Sequence, residues 1–140
     1  MTPTARTLTR LRDLGYHADV VERWLPRANV RRDLFGCIDV VAVHPHDRVI
    51  LGVQATTAAH VAHRLAKARG QPALAAWLRS GGQFQVWGWC RRGRRWEVKV
   101  GGVEADDLAA VVLQAPRRRK PRGKSAVAAD LFAALEDTPP

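Results

Sequence analysis

The sequence predicts an α/β or α+β layer structure, in which helices pack on a sheet of short strands. Two apolar runs, residues 38–43 and 49–55, are separated by a five-residue polar break, which predicts two antiparallel neighbouring strands. Helical patterns precede and follow this pair, and an alternating pattern returns at residues 83–90. With a strand over residues 16–24, the predicted order is helix, three strands, helix, strand, with additions.

The N-terminal segment has helical periodicity. Three leucines at roughly helical spacing, between charged positions, predict a helix over residues 3–14 that ends at Gly15. Residues 16–24 alternate in a way that favours a strand, and residues 26–32 are predicted to form a loop.

An amphipathic helix is predicted directly after the central pair of strands. Thr56 or Thr57 is a suitable N-cap, and residues 58–69 place apolar side chains on one face. Gly70 ends the helix. A second face carries three basic residues: His60, Arg64 and Lys67.

A further helix and a hairpin are predicted in the next part of the chain. Pro72 can open a helix at its first turn, and Gly81-Gly82 ends it. Residues 83–90 alternate as a strand, residues 91–95 form a basic turn, and residues 96–100 alternate again. The two alternating runs therefore predict an added hairpin.

The C-terminal part differs in composition. Residues 106–114 fit either a short helix or a strand. The main domain is placed at residues 1–115, before the composition changes. Residues 116–124 hold six basic residues and two prolines, which predicts an extended basic linker. Residues 125–140 predict a last helix, begun by a serine cap, and a short tail.

Composition points to a polyanionic partner. The 140 residues suit one domain with a tail, and 23 Lys+Arg against 13 Asp+Glu give a net charge of +10 and a pI near 11.1. Nucleic acid is the first expectation and a membrane surface the alternative. No apolar run is long enough to span a bilayer, and no signal-peptide pattern is present, so a cytoplasmic location is expected. Cys37 and Cys90 lie in apolar runs and are expected to be buried free thiols rather than a disulfide.

Four segments of the chain form a pattern of their own: Asp33-Leu34-Phe35-Gly36-Cys37-Ile38-Asp39, Gly52-Val53-Gln54-Ala55-Thr56, the helix with Arg64 and Lys67, and Val86-Trp87-Gly88-Trp89. With these residues and this order of elements, the chain resembles the PD-(D/E)XK nuclease superfamily, and is closest to its small Holliday-junction-resolvase-like and phage-type members. The resemblance covers about residues 3–90 and would give a restriction-endonuclease-like core: helix, three-stranded meander, helix and strand.

In that family one strand carries an Asp, and the next carries Glu or Gln, one residue, and usually Lys. The resemblance therefore makes Asp39 a metal ligand, Gln54 a second ligand through its amide oxygen, and the Ala55 carbonyl a third. Thr56 stands where the catalytic Lys is expected, so the motif is a Gln-x-Thr variant. The residues themselves favour a metal near Asp39, because a lone carboxylate in an apolar run is costly unless it is paired or metal-bound. Mg²⁺ or Mn²⁺ is the implied cofactor.

Other residues could complete such a site. Glu22 resembles the additional acid that the family often supplies from an earlier element, and Asp33 is a further candidate ligand. Lys67 or Arg64 could take the place of the missing Lys, and His60 could act as the base. Each also has a plain structural explanation, as a surface acid, a turn acid or the solvated face of a helix.

The function that follows is metal-dependent phosphodiester hydrolysis of DNA. The alternative is a catalytically weak or inactive DNA-binding module that keeps the fold, since Gln54 and Thr56 both depart from the motif; an RNA-binding or accessory protein is a third interpretation. A homodimer is compatible with the resemblance, because one small site cuts one strand. The expected contacts to the DNA backbone are His60, Arg64, Lys67, Arg91, Arg92, Arg94, Arg95, Arg117, Arg118, Arg119 and Lys120.

Overall fold

A computed structural model of the protein describes residues 1–105. The described residues form three α-helices, one 3-10 turn (Ala58–His60) and seven strands. The helices are α1 (Pro3–Asp13), α2 (Val61–Arg69) and α3 (Pro72–Arg79). The strands are β1 (His17–Val20), β2 (Arg23–Leu25), β3 (Val30–Arg32), β4 (Val40–His44), β5 (Val49–Thr57), β6 (Gln83–Arg92) and β7 (Arg95–Gly102).

Five of the strands form one mixed sheet in the order β1-β4-β5-β6-β7. β1, β4 and β5 are antiparallel neighbours, β5 and β6 run parallel, and β6 and β7 form an antiparallel hairpin. The crossover between the parallel strands β5 and β6 consists of the 3-10 turn, α2 and α3. It returns the chain to the end of the sheet at which β5 begins. The α/β class, the central antiparallel pair and the added hairpin are thus confirmed.

Helix α1 covers one face of the sheet. Its Leu11 is fully buried among apolar side chains of the four strands β1, β4, β5 and β6. Thr7, also fully buried, accepts a hydrogen bond of 2.9 Å from the indole N–H of Trp89. This bond satisfies a polar group that burial would otherwise leave without a partner.

Helices α2 and α3 cover the other face, where a second apolar cluster includes Ile38, Val61, Leu74 and Val86. Gly88 on β6 permits the close approach of the 3-10 turn. A Cβ at this position would lie 2.8 Å from the Cα of Ala58, closer than a side chain tolerates. The start of α2 can therefore reach the sheet only because β6 carries glycine here.

Two predicted elements differ in the structure. The single strand predicted over residues 16–24 is two strands, because the chain leaves the main sheet at Val21 and Glu22. The loop predicted over residues 26–32 contains β3, which pairs with β2 as a separate two-stranded sheet. Sequence periodicity missed this hairpin because its strands are three residues long and mostly exposed, so no alternation of burial develops.

Element boundaries also shift by one to three residues. β4 begins at Val40 rather than at residue 38, because the Ile38 N–H donates instead to the carbonyl of Leu34 in a local turn at 2.9 Å. The predicted helix over residues 58–69 begins with the 3-10 turn and becomes α-helical at Val61. Thr57 is the N-cap residue, but its hydroxyl makes no capping bond to the backbone.

No helix among residues 1–105 is long and apolar enough to cross a membrane. Cys37 is buried and free, as expected, whereas the free Cys90 is only half-buried. The helix or strand predicted over residues 106–114, the basic linker 116–124 and the last helix within 125–140 lie outside the described residues. The predicted domain boundary at residue 115 lies there as well.

Candidate active site

Asp39 immediately precedes β4, the strand that lies between β1 and β5 in the main sheet. Its backbone N–H donates to the Val53 carbonyl at 2.9 Å, and its backbone carbonyl accepts from the Val21 N–H at 2.9 Å. The Asp39 carbonyl is directed toward Val21. The N–H of Ala55 on β5 instead donates to the Asp39 side chain, at 2.9 Å from Oδ2. The carboxylate therefore takes the place of a backbone acceptor next to Gln54.

Burial changes the acid strength of this carboxyl. Asp39 is only 7% exposed, and desolvation, the largest cause, raises its pKa from 3.8 to about 7. The hydrogen bond from Ala55 acts in the opposite direction, whereas the nearby carboxylates of Asp33 and Glu22 raise the pKa further. A buried carboxylate near other carboxylates is stabilised by binding either a proton or a metal cation.

Gln54 contributes a buried oxygen without a partner. The residue is 2% exposed, and its Oε1 accepts no hydrogen bond from any described residue. Buried polar atoms without a partner are rare in folded proteins, because they lose their hydration without compensation. Gln54 and Thr56 lie two positions apart on β5, so their side chains point to the same face of the sheet, and Thr56 is also buried.

Two acids flank the β2–β3 hairpin, which stands beside Asp39. Glu22 precedes β2, and its Oε2 lies 3.5 Å from a guanidinium nitrogen of Arg31 on β3. Asp33 follows β3 and is half-buried. Both acids that were predicted as additional candidate ligands are therefore close enough to act electrostatically on Asp39.

Helix α2 brings one of its predicted basic residues toward these acids. Burial raises the pKa of the Cys37 thiol to about 11, with the charges of Asp33 and Asp39 adding to the rise. Lys67 partly offsets the rise, so its ammonium acts on the same neighbourhood. Lys67, an exposed residue of α2, therefore lies close enough to Cys37, two residues before Asp39, to act on its thiol.

The other two basic residues of this face are less closely tied to Asp39. Arg64 is half-buried on α2 and makes no ion pair with a described residue. His60 is exposed, and its Nδ1 lies 3.0 Å from the Thr57 hydroxyl. The imidazole is thus held through Nδ1 by the N-cap residue of the 3-10 turn, and this bond leaves its Nε2 atom free.

The donor set can be tested against a hard divalent cation. Within residues 1–105 no three His, Cys, Asp or Glu side chains lie close enough together to hold a metal ion. A cation at Asp39 would therefore need neutral oxygens, and the Gln54 Oε1 without a partner is one such oxygen, with the Ala55 carbonyl as another candidate. Carboxylate, amide and carbonyl oxygens are the donors that Mg²⁺ and Mn²⁺ use, so the residues present fit the implied metal.

The predicted basic turn lies beyond this site along the sheet. In the parallel register Thr56 pairs with Gly88, and Arg92 is four residues further along β6, about 13 Å away along the strand. The Arg92 guanidinium lies 3.3 Å from the Glu97 carboxylate, and the Arg91 side chain donates to the Gly93 carbonyl. Arg94 and Arg95 are exposed in the same turn. The predicted contacts at Arg117, Arg118, Arg119 and Lys120 lie outside the described residues.

The structure adds one feature that the sequence prediction missed, the basic and aromatic surface of the β2–β3 hairpin. Its signal in the sequence is a near-mirror arrangement, Arg23-Trp24-Leu25 before the turn and Val30-Arg31-Arg32 after it. No protein-family model, curated protein or solved structure matches the chain.

Proposed function

We propose that the protein is a metal-dependent nuclease-like protein that hydrolyses phosphodiester bonds in DNA, with a PD-(D/E)XK-type site at Asp39. The observation that carries the proposal is that the buried Asp39 carboxylate accepts the N–H of Ala55, the residue next to Gln54, whose buried amide oxygen has no hydrogen-bond partner among the described residues. Both groups lose hydration without full compensation in the protein alone, and a hard cation would satisfy both.

The order of the elements supports the proposed restriction-endonuclease-like core. α1, the antiparallel strands β1, β4 and β5, helix α2 and the parallel strand β6 follow the order that the resemblance implies. The β2–β3 hairpin, α3 and β7 are additions to that order. Of the metal-binding positions that the resemblance implies, Asp39 immediately precedes β4, the second strand of the antiparallel meander, and Gln54 and Ala55 lie on β5, the third.

Each residue can be given a role. Asp39, Gln54 and the Ala55 carbonyl would hold Mg²⁺ or Mn²⁺, and Glu22 would supply the negative charge that Gln54 lacks. When bound, the cation would supply charge neutralisation at the phosphate and a water of lowered pKa. Lys67 would place its ammonium beside the scissile phosphate, in the role that Thr56 cannot fill.

Binding to DNA rests on charge. The net charge of +10 favours a polyanion, and the turn at Arg91–Arg95 would hold the backbone on one side of the site. The basic segment 116–124 would add salt-dependent contacts, and a homodimer would place two such sites on two strands.

A second candidate function is a DNA-binding module with little or no catalysis. Two observations favour it: the Lys position is occupied by the buried hydroxyl of Thr56, and no three metal-binding side chains are assembled among the described residues. The two proposals predict the same DNA binding and differ in metal-dependent cleavage.

Nicking of a supercoiled plasmid separates them. The nuclease proposal predicts nicking in Mn²⁺ or Mg²⁺ that stops in EDTA and in Asp39→Asn, while Asp39→Asn still binds DNA. Asp19→Asn is the matched control, because Asp19 is an exposed acid whose carboxylate, among the described residues, accepts only the N–H of Val20. Unchanged DNA binding without nicking in either metal, across single-stranded, duplex and branched substrates, would favour the binding module instead.

A further inference from the structure

The β2–β3 hairpin is attached at its base to the candidate active site. Glu22 immediately precedes β2 and Asp33 immediately follows β3, and both carboxylates act on the pKa of Asp39. The hydrogen bond from the Val21 N–H to the Asp39 carbonyl, 2.9 Å long, ties the start of the hairpin to the same residue. Whatever binds along this hairpin is therefore held beside Asp39.

The hairpin concentrates positive charge. It carries four arginines in ten residues: Arg23, Arg27, Arg31 and Arg32. Arg23 and Arg32 are directly opposite each other in the antiparallel register, and both are exposed. Like charges in this arrangement destabilise a strand pair, and among residues 1–105 neither guanidinium has a carboxylate partner. A bound polyanion would remove this repulsion.

Trp24 adds an exposed aromatic surface on the same hairpin. It is paired across the hairpin with Arg31, and it is 51% exposed. Its ring makes no aromatic or cation–π contact with a described residue, in contrast to Trp96, whose ring is covered by the Arg6 guanidinium at 3.6 Å. Trp24, Arg31 and Glu22 line an open recess, so a flat ring could lie against the indole.

We propose that the β2–β3 hairpin binds a single-stranded stretch of DNA. Trp24 stacks on an unpaired base on the face of the hairpin that it shares with Arg31, and Arg23 and Arg32, on the opposite face, hold phosphates of the same strand where it passes around the edge of the hairpin. Aromatic side chains set among basic residues are the usual means of holding single strands, because every base offers a stacking face once it is unpaired. This inference rests on the proposed function for its choice of DNA and for the role of Asp39. It makes the substrate class DNA with unpaired nucleotides beside the cleavage site rather than intact duplex.

Fluorescence anisotropy tests the proposal with the full chain in EDTA, so that cleavage plays no part. The probes are a labelled oligothymidylate and a blunt-ended duplex of equal length. The variants are Trp24→Ala and Trp24→Phe, and the matched control is Trp96→Ala, because Trp96 is a similarly exposed tryptophan on β7. Circular dichroism melting curves establish that each variant is folded.

Trp24→Ala is expected to weaken binding of the single strand by about 5- to 100-fold, which corresponds to the loss of one stacked base. Binding of the duplex should change by less than about twofold, because a paired base offers no free face to the indole. Trp24→Phe should keep most of the affinity, and Trp96→Ala should behave as the wild type.

The arginine pair gives an independent measurement. The double variant Arg23→Gln/Arg32→Gln should lower the slope of log affinity against log salt for the single strand by about 1.4, since two phosphate contacts are lost. The variant should melt at the same temperature as the wild type or higher, because the repulsion between the two guanidinium groups is removed.

Equal single-strand affinity in Trp24→Ala and wild type would overturn the proposal, as would equal losses on single strand and duplex. An unchanged salt slope in the double arginine variant would show that Arg23 and Arg32 do not contact phosphates, which would also overturn the proposal. These readouts need no metal and no hydrolysis, so they stand apart from the nicking assay. A protein that nicks DNA but is insensitive to Trp24→Ala would keep the proposed function and lose this inference.

Discussion

The Asp39 carboxylate accepts the backbone N–H of Ala55 at 2.9 Å, so the acid that precedes β4 is fixed to the residue that follows Gln54 on β5. The same peptide segment thus positions the carboxylate, the amide oxygen without a partner and the Ala55 carbonyl. The geometry explains how a buried acid is held in place without an arginine or lysine at ion-pair distance among the described residues.

The raised pKa of Asp39 predicts a pH dependence of stability in the metal-free protein. The unfolded carboxyl ionises near 3.8 and the folded one near 7, so the folded state binds more protons between these values. Stability is therefore fully present below the lower pKa and is lost as pH rises through the upper one, by up to about 4 kcal/mol. The measurement is urea denaturation in EDTA across this pH range.

Asp39→Asn is the reference for that measurement, because an amide cannot ionise and can still accept the Ala55 N–H. The stability of the wild type relative to Asp39→Asn should fall as pH rises. A difference that stays constant across the range would mean that the carboxyl of the folded protein titrates as an ordinary aspartate.

Substitution of Gln54 should separate stability from metal binding. Gln54→Leu removes the buried acceptor without a partner, so the metal-free protein should be as stable as the wild type or more stable by about 1 kcal/mol. Mn²⁺ should then no longer raise the melting temperature. Gln54→Glu adds the missing charge and should tighten Mn²⁺ binding about tenfold, which corresponds to about 1.4 kcal/mol.

A loss of stability in metal-free Gln54→Leu would indicate that the amide contributes to the fold as it stands. Weaker Mn²⁺ binding in Gln54→Glu than in the wild type would contradict a ligand role for this position.

The hydrogen bond between Thr7 on α1 and Trp89 on β6 predicts an effect on stability that is independent of the candidate site at Asp39. Thr7→Val removes the acceptor of the Trp89 indole N–H and leaves that group buried and unsatisfied, at a cost of about 1–3 kcal/mol. Thr7→Ser keeps the hydroxyl and should lose less. Thermal denaturation of both variants tests this, and equal losses would assign the effect to the methyl group of Thr7 instead of the hydrogen bond.

Gly88 is predicted to be the least replaceable glycine of the central sheet. In Gly88→Ala the new methyl group meets the Ala58 backbone at 2.8 Å, so the 3-10 turn must move and stability should fall by about 2 kcal/mol or more. Gly102→Ala is the control, because its nearest neighbour would be 3.9 Å away. Equal denaturation midpoints for the two variants would show that the turn is not packed against β6 as described.

The main sheet could be predicted from the sequence because its strands carry strong local signals. The apolar runs around Val41 and Val53 and the short break between them are sufficient to define an antiparallel pair. Glycine and proline mark the ends of the helices at Gly15, Gly70 and Pro72. Asp39 can be singled out as a candidate for a related reason, since it is the one acid in one of these apolar runs, and its role there stays a prediction.

The missed features depend on contacts that leave no periodic trace. The β2–β3 hairpin is short and exposed, so arginine and tryptophan there do not alternate between core and solvent. The hydrogen bond between Thr57 and the Nδ1 atom of His60 depends on the 3-10 turn, which the helical pattern of residues 58–69 does not reveal. That the Gln54 oxygen lacks a partner could be learned only from the packing around β5.

Isothermal titration of Mn²⁺ into the wild type and Asp39→Asn, with and without DNA, tests the central claim most directly. We predict binding by the wild type and none by Asp39→Asn, with proton release that is visible as a dependence on the buffer's ionisation enthalpy, because the cation must displace the proton that the raised pKa retains. Equal binding by both proteins, or no binding by the wild type even with DNA present, would contradict a metal site at Asp39 and leave the DNA-binding module as the function.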